Sequence, residues 1–288
     1  MQYTAEDVQG IPLCIYTLTT KGSHVEPTAV AIEAAHQAGE LIRRQFHRPQ
    51  QISLKGVTDI VTQVDRDAED LIVRVIHDAF PQHGVWGEEG TATRHDDKYL
   101  WVIDPLDGTK NYAKGIPFFC VSIALAVDGQ PVLGIIYDPI HDETFSAERG
   151  KGTHLNGVRV RFVPKTSLEQ ASVYFGLNPY RRPGNPGLAL PMLRRLYPLL
   201  DMVRDSGSAA LSLAYVACGR LDIAYHDRLN AWDMLAGVLQ IQESGGVATE
   251  FSGRPISLAS RDVIAANAQP LHAEVLRVAQ EVMANPPP

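Results

Sequence analysis

The sequence predicts a layered fold, α+β in its first half and more α/β in its second. Three observations carry this. Two amphipathic helical patterns open the chain, at residues 27–46 and 65–80. Apolar runs joined by tight-turn dipeptides follow, at residues 99–163. Beyond them, helical and strand patterns alternate to the end of the chain.

The elements follow in order. Residues 1–24 have no basic region leading into a long apolar core, so they read as an irregular extension and not a signal peptide. In 27–46, Val30, Ala34, Ala38, Leu41 and Ile42 share one helical face. In 65–80, Ala68, Leu71, Ile72, Val75, Ile76 and Ala79 recur three and four apart, and Pro81 ends the helix. Strand patterns occupy 99–103, 118–127 and 132–137, the last two joined by Asp128-Gly129. A Gly150-x-Gly152 turn links 145–147 to 153–155, and Asn156-Gly157 leads into 158–163. In the second half, strands are expected at 171–175, 221–225 and 263–266. Helices are expected at 189–200, 208–218, 233–244 and 270–283, with a Pro- and Gly-rich loop at 178–191. The division expected is an extension (1–24), an α+β part (25–165) and an α/β part (166–284), the last two forming one unit.

Composition narrows the function classes. Of 288 residues, 26 are basic and 33 acidic, a net charge of −7, so the footprint of a nucleic-acid binder is missing. Cys14, Cys120 and Cys218 lie far apart with no metal-ligand or disulfide spacing, which fits a reduced, cytoplasmic setting. No apolar run approaches the roughly 18–20 residues that cross a bilayer.

The segment Trp101-Val-Ile-Asp-Pro-Leu-Asp-Gly-Thr-Lys-Asn111 carries the strongest chemical signal. An apolar strand runs into Asp104 and Asp107, Pro105 fixes the bend, and Gly108 permits a tight backbone. Two carboxylates and a carbonyl aimed at one point suit a hard divalent cation. Thr109 follows at once, so its hydroxyl and amide can face the same point. Glu88 and Glu89 sit between Gly87 and Gly90, sixteen residues before Asp104. Alone, that pair reads better as a solvated acidic turn, and it is the placement across one loop from Asp104 that favours convergence. Asp233 begins a helical pattern after Trp232, where an Asp is usually a cap. The competing reading makes it a distant third carboxylate.

Together these motifs resemble the inositol monophosphatase family of magnesium-dependent, lithium-sensitive phosphatases. Residues 101–111 and 232–237 match its two signatures, Gly87-Glu88-Glu89 its acidic loop, 55–65 its lysine-to-aspartate segment, and 150–157 its Gly-x-Gly…Asn-Gly hairpin. The resemblance spans about residues 28–282. It implies an αβαβα sandwich of the sugar-phosphatase type, a homodimer, and two or three Mg²⁺ per site. Glu88, Asp104 and the Leu106 carbonyl would hold a first metal, and Asp104, Asp107 and Asp233 a second. Glu88 and Thr109 would orient the attacking water, with Asp65 accepting a hydrogen bond from Thr109 and Lys55 a further catalytic group. Asp107, Gly108, Thr109, Gly207, Ser208 and Ala209 would meet the substrate. A helix start at Ser208 suits an anion on independent grounds.

One position departs from the pattern. Six residues before Trp232, the inositol-specific members carry a glutamate and this chain carries His226. It reads either as a polyol contact or as a surface-loop histidine. Inositol-1-phosphate hydrolysis is the first expectation. Histidinol phosphate, another sugar phosphate or a nucleotide phosphate are alternatives within the fold. A partner-binding regulatory protein that retains the fold is the alternative of another class.

Overall fold

The computed structural model describes residues 18–20, 23–48, 52–54, 60–93, 98–176 and 187–285. β1 (Leu18–Thr20) and β2 (Ser23–Val25) form a short antiparallel hairpin, as do β3 (Ile52–Leu54) and β4 (Ile60–Thr62). The stretch expected to be irregular thus contains strand pairing. A large sheet follows, built from β5 (Gly84–Gly87), β6 (Ala92–Thr93), β7 (Tyr99–Asp107), β8 (Cys120–Val127), β9 (Gln130–Asp138), β10 (Glu143–Glu148), β11 (Gly152–Leu155) and β12 (Val158–Arg159). Its spatial order is β12-β11-β10-β9-β8-β7-β5-β6. From β7 to β12 all neighbours are antiparallel, as the tight turns predict, whereas β5 runs parallel to β7. A second sheet contains β13 (Ser172–Gly176), β14 (Met202–Arg204), β15 (Ile223–Asp227), β16 (Val247–Thr249) and β17 (Asp262–Ala266), in the order β14-β13-β15-β17-β16.

The helices are α1 (Pro27–Gln45), α2 (Gln63–Ala79), α3 (Thr109–Ala113), α4 (Ala189–Leu196), α5 (Ala209–Ala217), α6 (Ala231–Glu243) and α7 (Gln269–Ala284). α1 and α2 cover one face of the large sheet. α5 and α6 lie between the two sheets, and α4 and α7 cover the far face of the second. This is the αβαβα layering that the motifs imply.

β7 shows why its sequence is apolar without interruption from Leu100 to Ile103. Trp101 and Ile103 pack with Ile42 and Ile72 on the α1–α2 side, while Leu100 and Val102 pack with Leu211 and Leu235 on the other. A strand covered on both faces buries every side chain. α5 is likewise buried nearly all round, because it has a sheet on each side.

Several boundaries differ from those expected. α2 begins at Gln63, before Asp65, because Thr62 and Asp65 form a reciprocal capping box. α6 begins at Ala231 with the same device, Asn230 capping and Asp233 as its third residue. The helix expected through Leu200 ends at Leu196 and tightens into a 3₁₀ turn, Tyr197–Leu199, where Pro198 brings no N–H. The strand expected at 158–163 stops at Arg159. Most of the loop expected at 178–191 lies outside the described residues.

Candidate active site

β7 delivers two carboxylates through a break in its ladder. Asp104 pairs with Ser122 and Asp107 with Cys120, so three steps along β7 match two along β8. One extra residue is therefore accommodated at Pro105-Leu106, where Pro105 has no N–H for the ladder. The Asp104 carboxylate bends back to accept from the Leu106 amide at 2.9 Å. Beside it, the β5–β6 turn places Glu88, whose amide donates to the Ile103 carbonyl at 3.1 Å. Asp233 reaches the same place from the first turn of α6. Carboxylate oxygens of Glu88, Asp104 and Asp233 lie within 4.8 Å of one another.

That crowding has an electrostatic cost. Asp104 is 1% exposed. Burial pushes its carboxyl well above the ordinary range, and the negative charges of Glu88, Asp107 and Asp233 push it further. The donor set is all oxygen and carries excess negative charge. A hard divalent cation fits it, because the ion supplies the charge that the protein withholds.

Asp107 is placed differently. Its Oδ2 accepts from the Ser208 hydroxyl and from the Ala210 amide at 2.7 Å, so the anion at the start of α5 is Asp107 itself. Burial raises its carboxyl, and these hydrogen bonds lower it in part. Ser208 is fully buried. Gly207 is exposed, and its φ of +78° is accessible to glycine. A Cβ there would lie 2.9 Å from the Asn111 Oδ1. The Asn111 amide donates to the Phe118 and Ser206 carbonyls, each at 2.7 Å, and so ties this turn to α3.

Thr109 Oγ1 lies 3.0 Å from both Asp65 Oδ1 and the Leu106 carbonyl. Asp65 is buried and fixed through its other oxygen by the Thr62 amide at 2.9 Å and hydroxyl at 2.5 Å. Gly108, at φ +100°, starts α3 with no room for a side chain against Phe118 and Phe119.

Motif reading missed Glu69. It is 2% exposed, and its carboxylate accepts from the Glu89 amide at 2.8 Å and the Thr91 amide at 3.0 Å. A Cβ on Gly87 would lie 2.3 Å from it. Glu69 therefore shapes the turn that carries Glu88. The available signal was an acidic residue on the apolar stripe of α2, between Ala68 and Ile72.

His226 sits at the C-terminal end of β15, paired with Gly176 of β13. Its ring occupies the space over Gly176 and lies 6.5 Å, centroid to centroid, from Tyr174. Nδ1 is 2.5 Å from the Asp227 carbonyl. A carbonyl only accepts, so Nδ1 carries the hydrogen. Burial lowers the imidazole pKa. Lys55 lies outside the described residues.

Comparison with known proteins gives the family and the fold. The model of the inositol monophosphatase family matches residues 24–284. Inositol monophosphatase 2 of Solanum lycopersicum is 41% identical over 245 residues, covering 83% of this chain and 92% of that protein. Nus factor SuhB of Pseudomonas aeruginosa is 42% identical, covering 83% and 90%. The crystal structure of the extragenic suppressor protein suhB from Bartonella henselae superposes with a TM-score of 0.82 at 38% identity, covering 88% of this chain and 98% of that one. An IMPase from Thermotoga maritima gives 0.81 at 34%, covering 89% and 97%. The chain belongs to the inositol monophosphatase family, metal-dependent phosphoric monoester hydrolases that act on small phosphorylated substrates.

Proposed function

We propose that the protein hydrolyses inositol-1-phosphate to inositol and phosphate with Mg²⁺. The observation that carries the reading is the convergence of Glu88, Asp104 and Asp233 beside Asp107. In this reading two or three Mg²⁺ are held by Glu88, Asp104, the Leu106 carbonyl, Asp107 and Asp233. Bound cations supply positive charge against the phosphoryl oxygens and acidify water.

The chain's own groups do the positioning. The Thr109 proton is committed to Asp65 or to the Leu106 carbonyl, so Thr109 Oγ1 offers only a lone pair to a water. A water that donates to Thr109 and to Glu88 has its own lone pair left for phosphorus. Lys55 joins this catalytic set. The Gly108 and Thr109 amides face the phosphate, where they stabilise its growing charge. Gly207 and Ala209 border the substrate, with Ser208 buried behind them. His226, fixed as the Nδ1–H tautomer, presents an acceptor at Nε2, which suits a polyol hydroxyl.

A similar protein of Mesorhizobium japonicum, 42% identical, is named inositol-1-monophosphatase. That supports inositol-1-phosphate over histidinol phosphate or another sugar or nucleotide phosphate. We further propose a cytoplasmic homodimer. Among the described residues, no helix is long and apolar enough to cross a membrane. A partner-binding role is a second reading, favoured by similarity to proteins named Nus factor SuhB.

The test is phosphate release with Mg²⁺ from inositol-1-phosphate, histidinol phosphate, fructose-1,6-bisphosphate and adenosine 3′,5′-bisphosphate. Preference for inositol-1-phosphate is expected. His226→Ala should then raise KM with little change in kcat, the mark of a binding contact. Preference for another member of the panel would reject the substrate assignment.

A further inference from the structure

We infer that Ser208 is a positioning residue that orients Asp107 for cation binding, and so links the metal site to the start of α5. The inference rests on the proposal that Asp107 is a metal ligand. Its basis is the geometry around Asp107 Oδ2. That oxygen accepts from the Ser208 hydroxyl and from the Ala210 amide, the latter at 2.7 Å. The Ala209 and Leu211 amides also lie against this carboxylate. The Oδ2 edge of the carboxylate is thus fixed by the start of α5, which sets how Asp107 can meet a cation.

Ser208 has little else to do with its proton. The backbone amide of Leu211 reaches its oxygen at 3.4 Å, a long contact for a helix cap, and Oγ is the acceptor there. The neighbouring Cys120 sulfur lies 3.8 Å from both Ser208 Oγ and Asp107 Oδ2. Asp107 is thus the strong acceptor that Ser208 faces. Full burial of Ser208 also keeps its hydroxyl away from any bound substrate, so its effect passes through Asp107. Supporting hydrogen bonds of this kind commonly change metal affinity by about 10–100-fold.

The arrangement couples two layers of the fold. Asp107 ends β7 of the large sheet, whereas Ser208 begins a helix packed between the sheets. A cation that fixes Asp107 also fixes the start of α5.

The test uses the full chain and Mg²⁺ alone, with thermal unfolding followed across a Mg²⁺ titration. Wild type should show a saturable rise in Tm, and Asp107→Asn should weaken it. Ser208→Ala should shift the midpoint to about 10-fold more Mg²⁺ or beyond. Ser208→Thr restores the hydroxyl and should titrate near wild type. Ser208→Gly removes the hydroxyl but suits a helix start, and it should weaken binding as Ser208→Ala does. A simple cap would lower Tm in the metal-free protein and leave the midpoint in place. Wild-type midpoints in both Ala and Gly variants overturn the inference, and so does loss of fold in both. If Asp107→Asn also titrates as wild type, the assignment of Asp107 as a ligand falls with it. If only Asp107→Asn weakens binding, the ligand assignment stands and the role of Ser208 is rejected.

Discussion

Asp104 concentrates the electrostatics of the site in one side chain. Without a cation, its carboxyl keeps a proton to higher pH in the folded chain than in the unfolded one. The folded state then binds more protons from about pH 4 upward, so this group's contribution to stability falls as pH rises through the window. The metal-free Tm of wild type, taken relative to Asp104→Asn, should fall between acid and neutral pH. Saturating Mg²⁺ should remove that fall in wild type only. Glu69 makes a second residue-scale prediction. Glu69→Ala strands the Glu89 and Thr91 amides and should cost about 1–3 kcal/mol in denaturant unfolding. It should also weaken Mg²⁺ binding, because the Glu88 turn loses its anchor. Retention of both stability and affinity would show that the turn holds itself. Asp104, Asp107, Glu88 and Asp233 were legible as candidates because acidic residues beside Gly, Pro and apolar strand ends form a local pattern. Glu69 was not, since its partners lie 20 and 22 residues away and no short motif joins them.

At the scale of elements, two helices start with the same device. Thr62 with Asp65 opens α2, and Asn230 with Asp233 opens α6. In both, the acidic residue also faces the site: Asp65 bonds Thr109, and Asp233 joins the carboxylate cluster. At Asp233 capping and membership of the cluster coexist: Oδ2 accepts from the Asn230 amide at 2.6 Å, and a carboxylate oxygen of the same residue lies in the cluster. Thr62→Ala should cost about 1 kcal/mol in unfolding free energy. It should lower activity as well, because Asp65 loses a donor that fixes it. Long periodic elements were readable, α1, α2, β8 and β9 above all. β5, β14 and β16 were not, because strands of three or four residues owe their pairing to neighbours distant in sequence. Both helices start two residues before the expected positions, because the acidic residue is the third of the helix and Thr62 or Asn230 is the cap.

On the scale of the molecule, the α5–α6 layer joins the two sheets into a shared core. We propose on this basis that residues 25–165 and 166–284 unfold as one unit. The seam is tight where β9 meets α6: a Cβ on Gly134 would lie 2.7 Å from the Ala236 carbonyl oxygen and 2.8 Å from its Cα. Neither backbone atom can move without moving the helix that carries Asp233. Gly134→Ala should therefore destabilise the protein by about 1–3 kcal/mol and weaken Mg²⁺ binding together. Normal Mg²⁺ affinity in that variant would mean that β9 absorbs the strain. The layer order was implied by motif resemblance. Periodicity alone showed helices and strands without saying which face meets which, because that is decided by pairings such as Gly134 with Ala236.

The central claim is that the carboxylate cluster holds the divalent cations on which hydrolysis depends. The direct measurement is phosphate release from inositol-1-phosphate by wild type and Asp104→Asn, each with Mg²⁺ and with the metal chelated, after circular dichroism has shown both to be folded. The account predicts turnover only in wild type with Mg²⁺. Equal turnover by folded Asp104→Asn, or undiminished turnover after chelation, would contradict it.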